Sequence, residues 1–180
     1  MITAFRVVKE KHASDAFDGE GSRRFGGRWN HKGAAVVYLS DTLSLAALEQ
    51  FIHLGREGLH IPFVYFTIEI PEQVSVNAIE LDSLPKDWRR EPPPNSTKNL
   101  GTQWVKSKNS ALLRVPAVIL PIGFNYIANI IHPEFRDLKI SNPESFTFDS
   151  RIWKEIKSPN KLESRDAWRP GGQEAGKLTY

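Results

Sequence analysis

Gly26-Gly27-Arg28-Trp29-Asn30, Val36-Val37-Tyr38-Leu39-Ser40 and Leu45-Ala46-Ala47-Leu48-Glu49 follow one another within residues 26–49. They read as a glycine-rich turn, a buried strand and the opening of an amphipathic helix. Asp41 or Thr42 is placed to cap that helix, and Gly55 to stop it. Leu45, Leu48, Phe51 and Ile52 form its apolar face. Glu49 falls on the edge of that face beside Leu45, with His53 one turn further on.

Outward from this unit, Ala4–Val8 reads as a first strand and residues 13–27 as a Ser-, Asp- and Gly-rich loop. Phe63–Ile70 alternates, with Val64, Phe66, Ile68 and Ile70 on one side, and is the clearest strand. Asn77–Leu81 is a further strand candidate. Residues 85–97, with Pro85, Pro92, Pro93 and Pro94, are expected to be irregular, and Gly101–Lys108 a short helix. Ala111–Val115 and Ala117–Leu120 are strand-type runs interrupted by Pro116, as at an edge or bulge. Phe146–Ile152 is expected as the last strand. Many strands with few, short helices argue for one α+β domain over residues 1–156. Residues 157–180 are polar and read as a tail outside the core, flexible or a read-through extension.

The 180 residues include no cysteine, which excludes disulfides, thiolate metal sites and a cysteine nucleophile and fits a reducing cytoplasm. No apolar run approaches a membrane span. The net charge of +3 is too small for a nucleic-acid arm. Basic residues do concentrate near the start, where Arg6, Lys9, Lys11, Arg23, Arg24, Arg28 and Lys32 face four acids within residues 1–33. That favours a local anionic ligand, although a solvated basic face accounts for most of them.

Three side chains carry the chemistry. The guanidinium of Arg28 matches a phosphate in two-point contact, but Gly-Gly-Arg alone is a weak signal and reads better as a surface loop. Tyr38 can stack on a planar base, or be a core tyrosine with a satisfied hydroxyl. Glu49, at the rim of a buried face, must be paired or serve a purpose, and a structural salt bridge to Arg28 is as good a reading as catalysis. Together they suit a pyrophosphate substrate such as NAD. Arginine would hold the phosphates and tyrosine the nicotinamide, while the carboxylate stabilises an oxocarbenium-like ribose as the glycosidic bond breaks. Arg6 is a second phosphate contact or a structural pair. Trp29 is the tryptophan nearest the site. Asn125 and His132 are more ordinarily turn or core hydrogen-bonders, and no His/Asp/Glu set has metal-ligand spacing.

These residues resemble the RES domain, the toxin of bacterial RES–Xre toxin–antitoxin pairs. Leu113-Arg114-Val115-Pro116, Pro121, Asn125, Asn129, His132-Pro133 and Phe148-Asp149-Ser150-Arg151-Ile152-Trp153 are similar to later signatures of that family. The resemblance covers roughly residues 3–155, in order. It implies an ADP-ribosyltransferase-like fold with a mixed or antiparallel β core, NAD as substrate without a metal, and growth arrest through NAD loss. By position Arg28, Tyr38 and Glu49 match the family's Arg, Tyr and Glu, with Arg6, Trp29 and Asn125 as further binding candidates. The resemblance also implies a cytoplasmic protein that binds an Xre-type helix-turn-helix antitoxin, a homodimer within that complex, and nucleic-acid contact only through the antitoxin.

One position departs. Ala117 stands where the family has a serine after Arg-Val-Pro, and Ser110 is a poor substitute at the other end of a strand. Ala117 is natural variation, or a change that silences a toxin. Losing one such hydrogen bond implies an enzyme slowed by about one to three orders of magnitude. The acceptor stays open between water, phosphate and a protein. A non-catalytic homologue that only binds nucleotide or antitoxin is the remaining alternative.

Overall fold

The computed structural model describes residues 1–54 and 61–153. The expected helix stop at Gly55 and the expected 157–180 tail lie outside them. The chain divides into two compact units, Met1–Asp149 and Ser150–Tyr180. In the second, a single 3-10 turn at Ser150–Trp153 is described.

The first unit is a mixed α+β domain, as expected. Its strands are β1 (Ile2–Lys9), β2 (Val36–Ser40), β3 (Phe63–Ile70), β4 (Val76–Ala78), β5 (Leu112–Pro116), β6 (Phe124–Asn129), β7 (Lys139–Ile140) and β8 (Glu144–Phe146). The order across the sheet is β4-β5-β6-β2-β1-β3-β7, with β8 also on β3. The β4–β5 pair is parallel and the other pairings are antiparallel.

Strand parity sorts the core. Val37 and Leu39 of β2 join Phe66 and Ile68 of β3 in one apolar cluster, while Val36 and Tyr38 join Leu113, Val115 and Ile127 in another. With both faces of β2 covered, its run is continuously apolar rather than alternating. The second cluster lies under α3 (Asn95–Ser107), which contributes Trp104 and Val105. Gly101 of α3 lies against the Trp29 backbone, where any β-carbon would collide with the Trp29 carbonyl oxygen. A third cluster, around Val7, Phe63 and Phe148, takes Ala46 from α2 (Leu43–Phe51).

Several expected elements differ. A helix, α1 (Glu20–Phe25), interrupts the 13–27 loop. The Asp18 carboxylate accepts from the Glu20 N–H at 2.8 Å, and Glu20 in turn pairs with Arg23. α3 begins at Asn95, well before Gly101, because the proline run ends at its N-cap, Pro94, where a proline fits. Thr42 does cap α2, accepting from the Leu45 N–H at 3.2 Å. Leu48 and Ile52, however, are exposed, and the helix buries Leu45 and Ala46.

Ala117–Leu120 is not a strand. The ladder ends at Pro116 opposite Phe124, and the Ala117 N–H donates to the Gly123 carbonyl to close the turn into β6. Pro116 is tolerated because β4 pairs only with Leu112–Arg114 and leaves that end of β5 without a neighbour on one side. Phe146–Ile152 leaves the sheet after Phe146. Its apolar character serves an aromatic cluster in which Phe148 sits edge-on to Phe63 and Phe146 at 5.4 and 4.9 Å.

β1 and β2 meet at a single register pair, Phe5 opposite Ser40. The sheet parts there, and the site opens at that parting.

Candidate active site

A cleft of about 400 Å³ lies at this parting, lined by β1, β2, α2, the Gly26–Trp29 turn and residues of the 91–93 segment. Arg6, Arg28, Tyr38, Glu49 and Asn125 all line it. With Trp29 at its wall, six of the binding and catalytic candidates share one space.

Arg6 is the most exposed of these to an electrostatic penalty. One terminal nitrogen donates to the Tyr38 carbonyl at 2.8 Å, taking the place of a ladder donor where β1 and β2 have separated. Its Nε is buried without a hydrogen-bond partner among the described residues. Burial is the main effect and pushes its pKa down to about 10, with Asp18 and Asp15 opposing from a distance. At neutral pH it remains a cation, and no carboxylate contacts it among the described residues. By exposed area Arg6 is half-buried, and an anion placed against it would be stabilised.

Arg28 is differently occupied. Nη1 donates to the Trp88 and Arg90 carbonyls, both at 2.9 Å, and Nη2 to the Glu91 carboxylate at 2.9 Å. The ion pair suggested between Arg28 and Glu49 is therefore made with Glu91 instead. Nε–H and one Nη2 hydrogen of Arg28 make no hydrogen bond among the described residues.

The Tyr38 hydroxyl is satisfied on both sides. It donates to Asn30 Oδ1 at 2.7 Å and accepts from the Trp29 N–H at 3.1 Å. Burial pushes its pKa well above the ordinary phenol range, so it stays protonated. Asn30 is itself fixed by donating to the Ser22, His31 and Ala34 carbonyls. Gly27 is required here, since a β-carbon would sit 2.5 Å from the Tyr38 oxygen. What remains of Tyr38 for a ligand is its ring.

Glu49 accepts from Asn125 Nδ2 at 2.8 Å, and Asn125 Oδ1 accepts from the Ser40 hydroxyl at 2.8 Å. A carboxylate on one helix is thereby held by two residues of the sheet.

The remaining candidates divide between the cleft wall and the core. Trp29 reaches the cleft wall but is only 2% exposed, its ring packed with Trp88 and Trp104. Ala117 is 1% exposed and outside the cleft lining, although Val118 and Ile119 belong to it. Ser110 bonds Trp104 and the Leu112 carbonyl inside the core. His132 accepts from the Glu134 N–H to cap a 3-10 turn. Exposed His53 lines the cleft.

Two cleft residues escaped the sequence reading. Ser40 had a signal, since strand parity puts it on the face of Tyr38. Glu91 had none, because a proline-rich segment carries no periodicity.

The geometry defines a mixed α+β domain whose parted sheet opens on a cleft of about 400 Å³ lined by two carboxylates, two guanidiniums and the Tyr38 ring. The RES domain profile matches residues 3–149. Toxin Res of Yersinia enterocolitica serotype O:8 / biotype 1B is 36% identical over 149 residues, covering 82% of this chain and 97% of its own. Toxin Res of Photorhabdus laumondii subsp. laumondii is 32% identical over 151 residues, covering 83% and 96%. The Prs ADP-ribosylating toxin of Sphingobium sp. is 34% identical over 157 residues, covering 84% and 98%. Among solved structures, the M. tuberculosis MbcT–MbcA toxin–antitoxin complex contains a chain that superposes with a TM-score of 0.67 at 20% identity, over 81% of this chain and 84% of that one. That likeness speaks for the fold. The chain belongs to the RES domain family.

Proposed function

We propose that this chain is the toxin of a toxin–antitoxin pair and that it consumes NAD in the cleft by breaking the nicotinamide–ribose bond. The observation that carries the reading is the Glu49 carboxylate, held at 2.8 Å by Asn125 on a cleft wall that also presents Arg6 and Arg28. In the step, the ribose C1′–nitrogen bond breaks and its electron pair leaves with nicotinamide, discharging the pyridinium. Positive charge develops on the ribose, where a carboxylate stabilises it. A lone pair of the acceptor then bonds C1′, and the acceptor proton is lost.

Arg6, which has no ion pair among the described residues, takes the pyrophosphate, and Arg28 adds the N–H groups it leaves unused there. The Tyr38 ring packs on the base. No metal is needed for any of these roles. The names of the Yersinia, Photorhabdus and Sphingobium relatives support a toxin, and the last supports chemistry on an ADP-ribose donor.

A second reading is a transferase that places ADP-ribose on a protein, as the Sphingobium relative's name says of that toxin. Incubation with NAD labelled in the adenine separates the acceptors. Free ADP-ribose marks water, its 1″-phosphate marks phosphate, and label on protein marks the transferase. An antitoxin partner of the Xre helix-turn-helix type, a homodimer within that complex and a cytoplasmic location belong to the same proposal. The MbcT–MbcA neighbour, itself a toxin–antitoxin complex, supports the partner. Co-expression with the neighbouring reading frame, followed by purification of the pair, tests it.

Attenuation at Ala117 has weaker support, because its methyl lies outside the cleft lining.

A further inference from the structure

We infer that Ser40 is a positioning residue, which through Asn125 sets the orientation of the Glu49 carboxylate and supplies the hydroxyl function that Ala117 lacks. This rests on the proposed NAD chemistry for its kinetic consequence, but not for its geometry.

An asparagine side chain offers an acceptor at one end and donors at the other, and either end can face a given neighbour. If the oxygen of Asn125 turned toward Glu49, it would meet a carboxylate that has nothing to donate. The carboxylate, an acceptor only, therefore takes Nδ2 at 2.8 Å, and the Ser40 hydroxyl, donating to Asn125 Oδ1 at 2.8 Å, anchors the other end of the amide so that Nδ2 is held in place against Glu49 Oε1. Ser40 is 4% exposed and stands on β2 directly opposite Asn125 on β6, so the pair is held by the ladder itself. The carboxylate sits on α2, a separate element, and the relay ties that helix to the sheet where the cleft opens. Ala117, by contrast, is outside the lining, and Ser110 is spent on Trp104 and the Leu112 carbonyl.

A positioning role predicts a particular split. Ser40→Ala should lower kcat about tenfold while KM for NAD changes less than about twofold, since only alignment of the charge-stabilising group is lost. In a Glu49→Ala background, where turnover is expected to be slow enough for calorimetry, adding Ser40→Ala should leave the Kd for NAD unchanged. A rise in KM or Kd with kcat intact would make Ser40 a ligand contact and overturn the proposal. Side-chain amide NMR of Asn125 gives a readout that needs no activity. Its resonances should move both in Ser40→Ala and in Glu49→Ala, and their staying fixed in either would overturn the relay. If the wild-type chain consumes no NAD, the proposed function fails, and the amide shifts alone decide the relay.

Discussion

Arg28 and Glu91, 63 residues apart in sequence, form a 2.9 Å ion pair on the wall of the cleft. The arginine side chain is 15% exposed and the glutamate 75%, so one partner is built in and the other reaches in from solvent. The same guanidinium holds the Trp88 and Arg90 carbonyls. Arg28 therefore anchors the segment that completes the cleft, and Glu91 occupies a donor that a phosphate would use.

Glu91→Gln should accordingly strengthen substrate binding. An exposed pair of this kind contributes about 1 kcal/mol or less to stability, so the fold should tolerate the change. Removing the competing negative charge should lower KM for NAD roughly threefold to fivefold with kcat nearly unchanged. Steady-state kinetics at low salt checks this, and an unchanged or raised KM would count against competition.

Arg6 should trade stability for binding. Folding lowers its pKa from 12.5 to about 10, so the charged form is disfavoured in the fold throughout the neutral range. The shift corresponds to about 3 kcal/mol, less about 1 for the bond to the Tyr38 carbonyl. Arg6→Met should raise the midpoint of thermal unfolding by several degrees, while NAD affinity falls at least about tenfold. A variant that is less stable and binds NAD normally would remove Arg6 from the site.

Ala117→Ser tests where the family serine matters in this chain. The RES resemblance alone implies a gain of about one to three orders of magnitude in rate. With Ala117 buried outside the cleft lining and Ser40 already holding Asn125, the gain should stay below about threefold. Parallel progress curves for NAD consumption distinguish the two, and a rise above tenfold would restore Ala117 to the site.

Acid stability should depend on Glu134, remote from the cleft. The Ser75 hydroxyl, and then the Ser75 N–H, hold its pKa below the ordinary carboxylate value, with His132 adding to the effect. Because the folded pKa is lowered, the stabilisation is complete above the unfolded value and is lost as pH falls through the folded one. Denaturant titrations between about pH 6 and about pH 3 should show a steeper loss in wild type than in Glu134→Gln. Parallel curves would mean that the Ser75 contacts contribute nothing in solution.

Periodicity made the sheet legible. The alternation of Phe63–Ile70 and the apolar run of Val36–Ser40 mark β3 and β2, and Thr42 marks the start of α2. Glu49 stands out locally, as a carboxylate at the rim of an apolar face, whereas Arg28 and Tyr38 become candidates only through the family resemblance. What stayed hidden depends on long-range geometry. The single register pair between β1 and β2 opens the cleft, and no local pattern encodes it. For the same reason Arg28 found Glu91 rather than Glu49, and Asn125 became the partner of Glu49 across 76 residues. The Phe146–Ile152 stretch does not continue as a strand because β8 ends at Phe146 and Phe148 turns into an aromatic cluster.

The central claim is that Glu49 drives cleavage of NAD. The direct test is NAD concentration over time with purified wild-type protein and with Glu49→Ala, each checked for folding by thermal melt. The account predicts release of one nicotinamide per NAD consumed by wild type, and a rate at least about a hundredfold lower in the folded variant. Equal rates in the two proteins, or intact NAD with active-site binding in the wild type, would contradict it.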